Sequence, residues 1–291
     1  MSKKLRTRRH RVVLNRSSGG DMGITLLLLI LGVVMFLPLN YVLIQSLKPL
    51  DELFYYPPKF YVITPTFQNF ADLFNLMSES WVPFSRYIFN TVYITFMGTA
   101  GNLILGSLCA YALSKIPFPG HGFFFQLIVK SLMISSAVAG TLQFVILTKL
   151  GFMDSQLAII LPTWASTLGL YLMKQFIDAN ISTEMLESAR LDGAGEFRTF
   201  WSIAMPLVKP AWLTLIVQSF QGLWNTGATV FIQSEELKTL NYAMSQVLSA
   251  GIVRQGAVSA STVIMLIVPI IVFIVSQSNI IETMATSGMK D

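Results

Sequence analysis

Few residues of this chain are spaced for covalent chemistry. One cysteine and two histidines, His10 and His121, are too few for a disulfide framework or a structural zinc cluster. No GxxxxGK[ST] loop, HExxH, GxSxG or pair of intramembrane aspartates occurs. Nucleotide hydrolysis, metalloproteolysis and serine hydrolysis therefore lack a phosphate cradle or a nucleophile. One segment does carry ordered spacing: residues 181–206, ISTEMLESARLDGAGEFRTFWSIAMP. Ser182 or Thr183 is a helix N-cap, and Glu184 and Glu187 sit early, where the helix dipole favours acids. Met185, Leu186 and Ala189 form one apolar strip, while Glu187 and Arg190 fall at the i,i+3 spacing of an ion pair. Asp192-Gly193 breaks the helix, because glycine takes the left-handed conformation of a sharp turn. A second short helix puts Phe197, Phe200, Trp201 and Ala204 on one face. Pro206 then sets the start of the next apolar run, near a first turn where its missing N–H costs little. Such a segment suits mechanical work. It is either a stiff helix–turn–helix elbow between two membrane helices or an amphipathic linker lying on lipid headgroups.

The elements around it must be membrane helices. Charged residues make up only 12% of the 291 residues and hydrophobic ones 53%, against roughly 25% charged in a soluble domain. No charge lies between Asp21 and Lys48, Arg86 and Lys115, Asp154 and Lys174, Lys209 and Glu235, or Arg254 and Glu282. Gly122–Leu147 is equally apolar apart from Lys130. Each window supplies the roughly 20 residues of a spanning helix, so the predicted fold is all-α with six transmembrane helices. Continuous apolar runs exclude a β-barrel, and the first run is too long for a cleaved leader and lacks its small-x-small site. The first 16 residues hold seven of the twenty Lys and Arg and no acid, which places the N-terminus in the cytoplasm. Six spans return the C-terminus to the same side, with thirteen basic residues inside and six outside. The net charge of +5 is thus a topology signal and not a nucleic-acid arm. The predicted organisation is a basic tail, residues 1–21, and a six-span membrane domain, residues 22–291, whose cytoplasmic elbow is 181–206. Arg16 to Asp21, with two serines and two glycines, is a flexible joint.

At the elbow the sequence resembles the cytoplasmic "EAA" loop of binding-protein-dependent ABC importer permeases, E-A-A, three residues, G, nine residues, I-x-L-P. Here the stretch is Glu187-Ser188-Ala189, three residues, Gly193, nine residues, Ile203-Ala204-Met205-Pro206. Ser188 and Met205 depart from the usual Ala and Leu, both by small or volume-conserving changes. The resemblance extends to Asn90-Thr91, Ala110-Tyr111-Ala112-Leu113-Ser114, Phe118-Pro119-Gly120 and Trp224-Asn225. The tail Ser287-Gly288-Met289-Lys290 is similar in part to the Gly-Ala-Val-Lys ending of maltose-type sugar permeases. The resemblance implies a non-catalytic subunit of an inner-membrane importer, translocating an oligosaccharide. Its implied partners are a second, homologous permease, two ATPase subunits and an extracytoplasmic solute-binding protein. No cofactor is implied on this chain, and Mg-ATP belongs to the partner ATPase. The loop, including Asp192, would dock on the ATPase, with Glu187 as charged contact, Gly193 as turn and Met185, Leu186 and Ala189 as the knob filling a groove.

Outside the loop the alternatives stay open. Asn90, Asn102, Gln221 and Asn225 line a sugar path or bond helix to helix. Lys130 is a substrate-path or inter-subunit contact, or a lysine whose long stem reaches polar surroundings. Pro162 and Pro269 permit kinks in the fourth and sixth spans, whereas no proline lies between Pro119 and Pro162. The outer loop, with Phe54, Tyr55, Tyr56, Phe60, Tyr61 and Trp81, marks the membrane interface or docks the binding protein. The rival function is an ion- or proton-coupled carrier working without ATPases, which the lack of intramembrane acids weakens.

Overall fold

The structure is a computed structural model that describes residues 18–78, 81–227, 229–249 and 254–287. Most of the basic tail and the last four residues, including Gly288, Met289 and Lys290, lie outside them. Among the described residues there is no strand. The helices are α1 (Ser18–Leu47), α2 (Gln68–Ser78), α3 (Phe84–Lys115), α4 (His121–Ser131), α5 (Ser136–Lys149), α6 (Leu157–Trp164), α7 (Thr167–Asn180), α8 (Thr183–Leu191), α9 (Lys209–Trp224), α10 (Leu240–Ser249) and α11 (Gln255–Ser287).

Among the described residues four segments are long and apolar enough to cross a membrane: Gly20–Leu47, Phe84–Lys115, Leu157–Asn180 and Gln255–Ser276. The other two expected spans are bent pairs. α4 and α5 meet at 112°, and the Glu196–Leu207 segment meets α9 at 84°. The count is four, or six when each bent pair is one span.

The bends have local causes. The one after α4 needs no proline. Ser131 turns its hydroxyl back to Ile128 O (2.7 Å), and Ser135 starts a new helix by accepting from Val138 N (3.5 Å), the competition with backbone pairing at which serine excels. In the fourth span the chain breaks two residues beyond Pro162, where Ser166 caps α7 by accepting from Gly169 N (3.3 Å). α11 continues as one helix through Pro269. Pro206 does not open the fifth span. It lies in the short segment Met205–Leu207, Val208 makes the bend, and Pro210 takes the first-turn position of α9.

α3 is the central helix, packed against α6, α7 and α9. The approach of α6 depends on Gly101, where a Cβ would sit 2.0 Å from Trp164 Nε1. Trp164 instead donates to Met97 O at 3.0 Å. Side chains of α1 from Leu26 to Phe36 point outward, as a lipid-facing helix requires.

The loop after α1 is a folded strap. Lys48 is 1% exposed and donates to Lys59 O at 2.6 Å. Glu52 accepts from Ile63 N (3.0 Å), Thr64 N (2.9 Å) and Thr64 Oγ1 (2.6 Å). Asn69 donates to Ser46 O and Lys48 O at 2.9 and 2.7 Å. Tyr56 and Trp81 project from this side, each 95% exposed.

Candidate functional site

The elbow begins at Ser182, whose hydroxyl accepts from Met185 N at 3.3 Å and caps α8. It turns at Gly193, φ +82°. Gly193 N donates to Arg190 O and Ala194 N to Ala189 O, both at 3.0 Å, the paired closure of a Schellman motif. The turn is locked from the side by Arg190 Nε, which donates to Glu196 Oε1 at 2.7 Å. The i,i+3 partner expected for Arg190, Glu187, is displaced by this acid beyond the turn.

The expected apolar strip of α8 divides between two directions. Leu186 and Ala189 are buried, at 1% and 8% exposure, and Leu186 packs in a cluster with Tyr111, Ile181, Phe200 and Met205. They face this chain's own core. Met185, Glu187 and Ser188 are exposed, and so is Leu191 at 89%. Asp192 is exposed as well. The second arm divides likewise. Phe200 and Ala204 are buried, whereas Phe197 and Trp201 point outward. Residues Phe200–Ala204 wind as a π-helix, which alters the spacing on which a single face was predicted. Ile203 is half-buried and Pro206 exposed. Trp212 Nε1 takes up Met205 O at 3.0 Å, satisfying a carbonyl at the bend.

Both joints of the elbow are tied to the inner end of α3. Lys115 Nζ donates to Ile181 O at 2.7 Å. Tyr111 donates its hydroxyl to Glu196 Oε2 at 3.2 Å and packs its ring edgewise on Phe200, with centroids 5.4 Å apart. Ser114 and Asp178 bond alongside.

A second site lies between α3, α5, α6 and α9: a cavity of about 470 Å³ lined by Asn102, Gln143, Thr163, Ser166, Gln218, Ser219 and Thr226 among other residues. Asn102 donates to Ser219 Oγ at 2.5 Å, and its buried Oδ1 has no partner. Of the expected path residues only Asn102 lines it. Asn90 is wholly engaged, donating to Glu236 O (2.7 Å) and Lys238 O (2.9 Å) and accepting from Gln156 Nε2 (2.8 Å). It is a clamp on the outer loop. Gln221 and Asn225 lie on the exposed side of α9, where Asn225 Nδ2 donates to Gln221 O at 2.9 Å. Lys130 is exposed in the last turn of α4, apart from the cavity. Gln143, Gln218, Ser219 and Thr226 were missed. Gln218 and Gly222 stand four residues apart on α9, and Thr226 follows at the same spacing just beyond its end, a pattern that periodicity reveals.

The loop before α10 is held at several points. Asp154, at φ +56°, accepts from Gln233 N (2.9 Å), Ser234 N (2.8 Å) and the Ser234 hydroxyl. The Ser234 hydroxyl, and then these backbone N–H groups, hold its carboxyl below the usual carboxylate range. Among the described residues no group of three His, Cys, Asp or Glu is arranged to hold a metal ion.

Comparison with known proteins accords with this geometry. The chain is 27% identical over 277 residues to the arabinooligosaccharides transport system permease protein AraQ of Bacillus subtilis, covering 92% of this chain and 95% of that one. It is 31% identical over 200 residues to the sn-glycerol-3-phosphate transport system permease protein UgpE of Yersinia enterocolitica, covering 68% and 71%. To the polygalacturonan/rhamnogalacturonan transport system permease protein YtcP of Bacillus subtilis it is 30% identical over 212 residues, covering 73% and 71%. The fold matches a chain of a bacterial ABC transporter involved in the import of the acidic polysaccharide alginate, with TM-score 0.77 and 23% identity over 90% of this chain and 98% of that one. Residues 22–285 match the family described as "binding-protein-dependent transport system inner membrane component", and the chain belongs to that family as a multi-pass permease subunit of an ATP-driven importer.

Proposed function

We propose that the chain translocates a neutral oligosaccharide delivered by an extracytoplasmic binding protein, and that its elbow couples this movement to a separate ATPase. The observation that carries the reading is the division of the elbow into a buried and a presented half. Leu186, Ala189 and Phe200 anchor it in the bundle, while Met185, Glu187, Ser188 and Leu191 stand outside, where a partner would grip them. Gly193 keeps the two arms at a fixed angle, and Ile203 and Pro206 lead to the bend before α9. A second permease, two ATPases holding Mg-ATP, and cytoplasmic termini complete the arrangement.

The cavity supports the substrate class. Its polar lining consists of amides and hydroxyls with no Lys or Arg. Such groups exchange hydrogen bonds with sugar hydroxyls, whereas an anion calls for charge-assisted donors. This chain therefore suits an uncharged sugar better than a phosphate ester or a polyuronate.

The test is uptake by proteoliposomes holding the chain with its sister permease and ATPases. ATP inside and binding protein outside should drive accumulation of labelled neutral oligosaccharide, and galacturonate oligomers should not compete. Uptake driven by membrane potential without ATP would establish the secondary-carrier alternative instead.

A further inference from the structure

α3 differs from the other long helices, α1 and α11, in containing no proline. It runs 32 residues without proline, about 48 Å at 1.5 Å per residue. α1 and α11 contain Pro38 and Pro269, the fourth span breaks after Pro162, and α9 starts at a bend. Both ends of α3 are attached to irregular segments. At the inner end Tyr111 reaches Glu196, which also receives Arg190, and Lys115 holds Ile181 O. At the outer end Tyr87 donates to Glu235 Oε1 at 2.9 Å, Asn90 holds the carbonyls of Glu236 and Lys238, and Thr91 Oγ1 accepts from Leu240 N at 2.7 Å.

We propose that Tyr111 and Glu196 are positioning residues that fasten the elbow to α3, so that α3 relays elbow movement across the membrane to the outer loop 231–240. The proposal rests on the coupling function given above. Its chemistry lies in one carboxylate. Glu196 follows the turn, Arg190 precedes it and Tyr111 belongs to the membrane helix, so one acid joins three elements. The Tyr111 ring packs in the core whether or not the hydroxyl is present, and the side chain is 3% exposed. The hydroxyl itself serves the connection to Glu196. Coupling free energies are reciprocal, so a ligand that shifts loop 231–240 must also act on the elbow through the same contact.

The test uses the complete reconstituted complex and four chains: wild type, Tyr111→Phe, Glu196→Ala and Glu196→Gln. Three quantities are measured: sugar moved per ATP hydrolysed, stimulation of ATP hydrolysis by the binding protein, and the ATP-dependent change in hydrogen exchange of amides 233–240. Loss of the Tyr111 hydrogen bond should lower the first two about three- to tenfold in Tyr111→Phe, and Glu196→Ala, which also loses the Arg190 contact, should lower them at least as much. Basal hydrolysis should stay at the wild-type level and the exchange change should shrink. Glu196→Gln keeps an acceptor for Tyr111 and should recover most of the coupling, which a general packing defect would not. Wild-type values in both Tyr111→Phe and Glu196→Ala overturn the proposal, as does a wild-type outer loop whose exchange ignores ATP. If Tyr111→Phe fails to accumulate, the half-exposed Glu196→Ala decides. Absence of ATP-driven uptake in the wild-type complex refutes the coupling function itself, a separate outcome.

Discussion

The turn at Gly193 offers the sharpest perturbation of the elbow. Its φ of +82° lies in the left-handed region, and a Cβ there would meet nothing within 4 Å. A substitution is therefore felt through the backbone alone. Alanine in this conformation costs about 1–2 kcal/mol, and asparagine less, because its short polar side chain tolerates the region. Proline costs about 3 kcal/mol or more, since its ring holds φ near −65° and removes the N–H that bonds Arg190 O. Each 1.4 kcal/mol is a factor of ten. The native turn should lose roughly three-fold in occupancy with Asn, about five- to thirty-fold with Ala and over about a hundred-fold with Pro. ATP-driven uptake in proteoliposomes, normalised to inserted protein, should fall in the order Gly, Asn, Ala, Pro. A Gly193→Pro chain that inserts normally and transports at the wild-type rate would refute the reasoning.

Glu187 stands on the presented side of α8, so Glu187→Lys should abolish ATP-driven uptake while membrane levels, read by immunoblot, stay unchanged. In the cavity, Asn102→Leu or Gln218→Leu should raise the KM for uptake about tenfold through lost polar contacts. Asn90→Ala, which releases two hydrogen bonds to the loop before α10 and one from Gln156, should lower Tm and leave the choice of sugar unchanged. Asp154 has a folded pKa depressed by Ser234 and Gln233. A depressed carboxyl stabilises the loop above its unfolded pKa, and that stabilisation is lost as pH falls through the folded value. Amides 233–236 should thus stay protected at neutral pH and loosen only below the ordinary carboxylate range. In Asp154→Asn they should exchange fast at every pH, as read by mass spectrometry.

Much of the elbow was legible before any coordinates. Ser182 and Gly193 carry their meaning in residue type and spacing, because caps and turns are local events. The direction of each side chain was not legible. Met185 and Leu186 are adjacent and both apolar, yet one is exposed and the other buried against Tyr111, since packing chooses between them. Glu187 stands at good distance in sequence for Arg190, but Glu196 wins once the turn folds it back. The polar candidates failed for the same reason. Asn90 is no different in type from Asn102, and only the outer loop folded over α3 uses up its hydrogen bonds. The break between α4 and α5 is not legible from proline placement either, because the hydroxyls of Ser131 and Ser135 mark it.

Composition and charge placement settle that this chain lives in a membrane as a set of apolar helices joined at an ordered elbow, because lipid admits few other solutions and the required signals are short-range. Which side of each helix faces the cavity, the core or a partner was decided by contacts between residues up to 150 positions apart. Such contacts exist only after α3 has gathered α6, α7 and α9 around it, and no local preference encodes them.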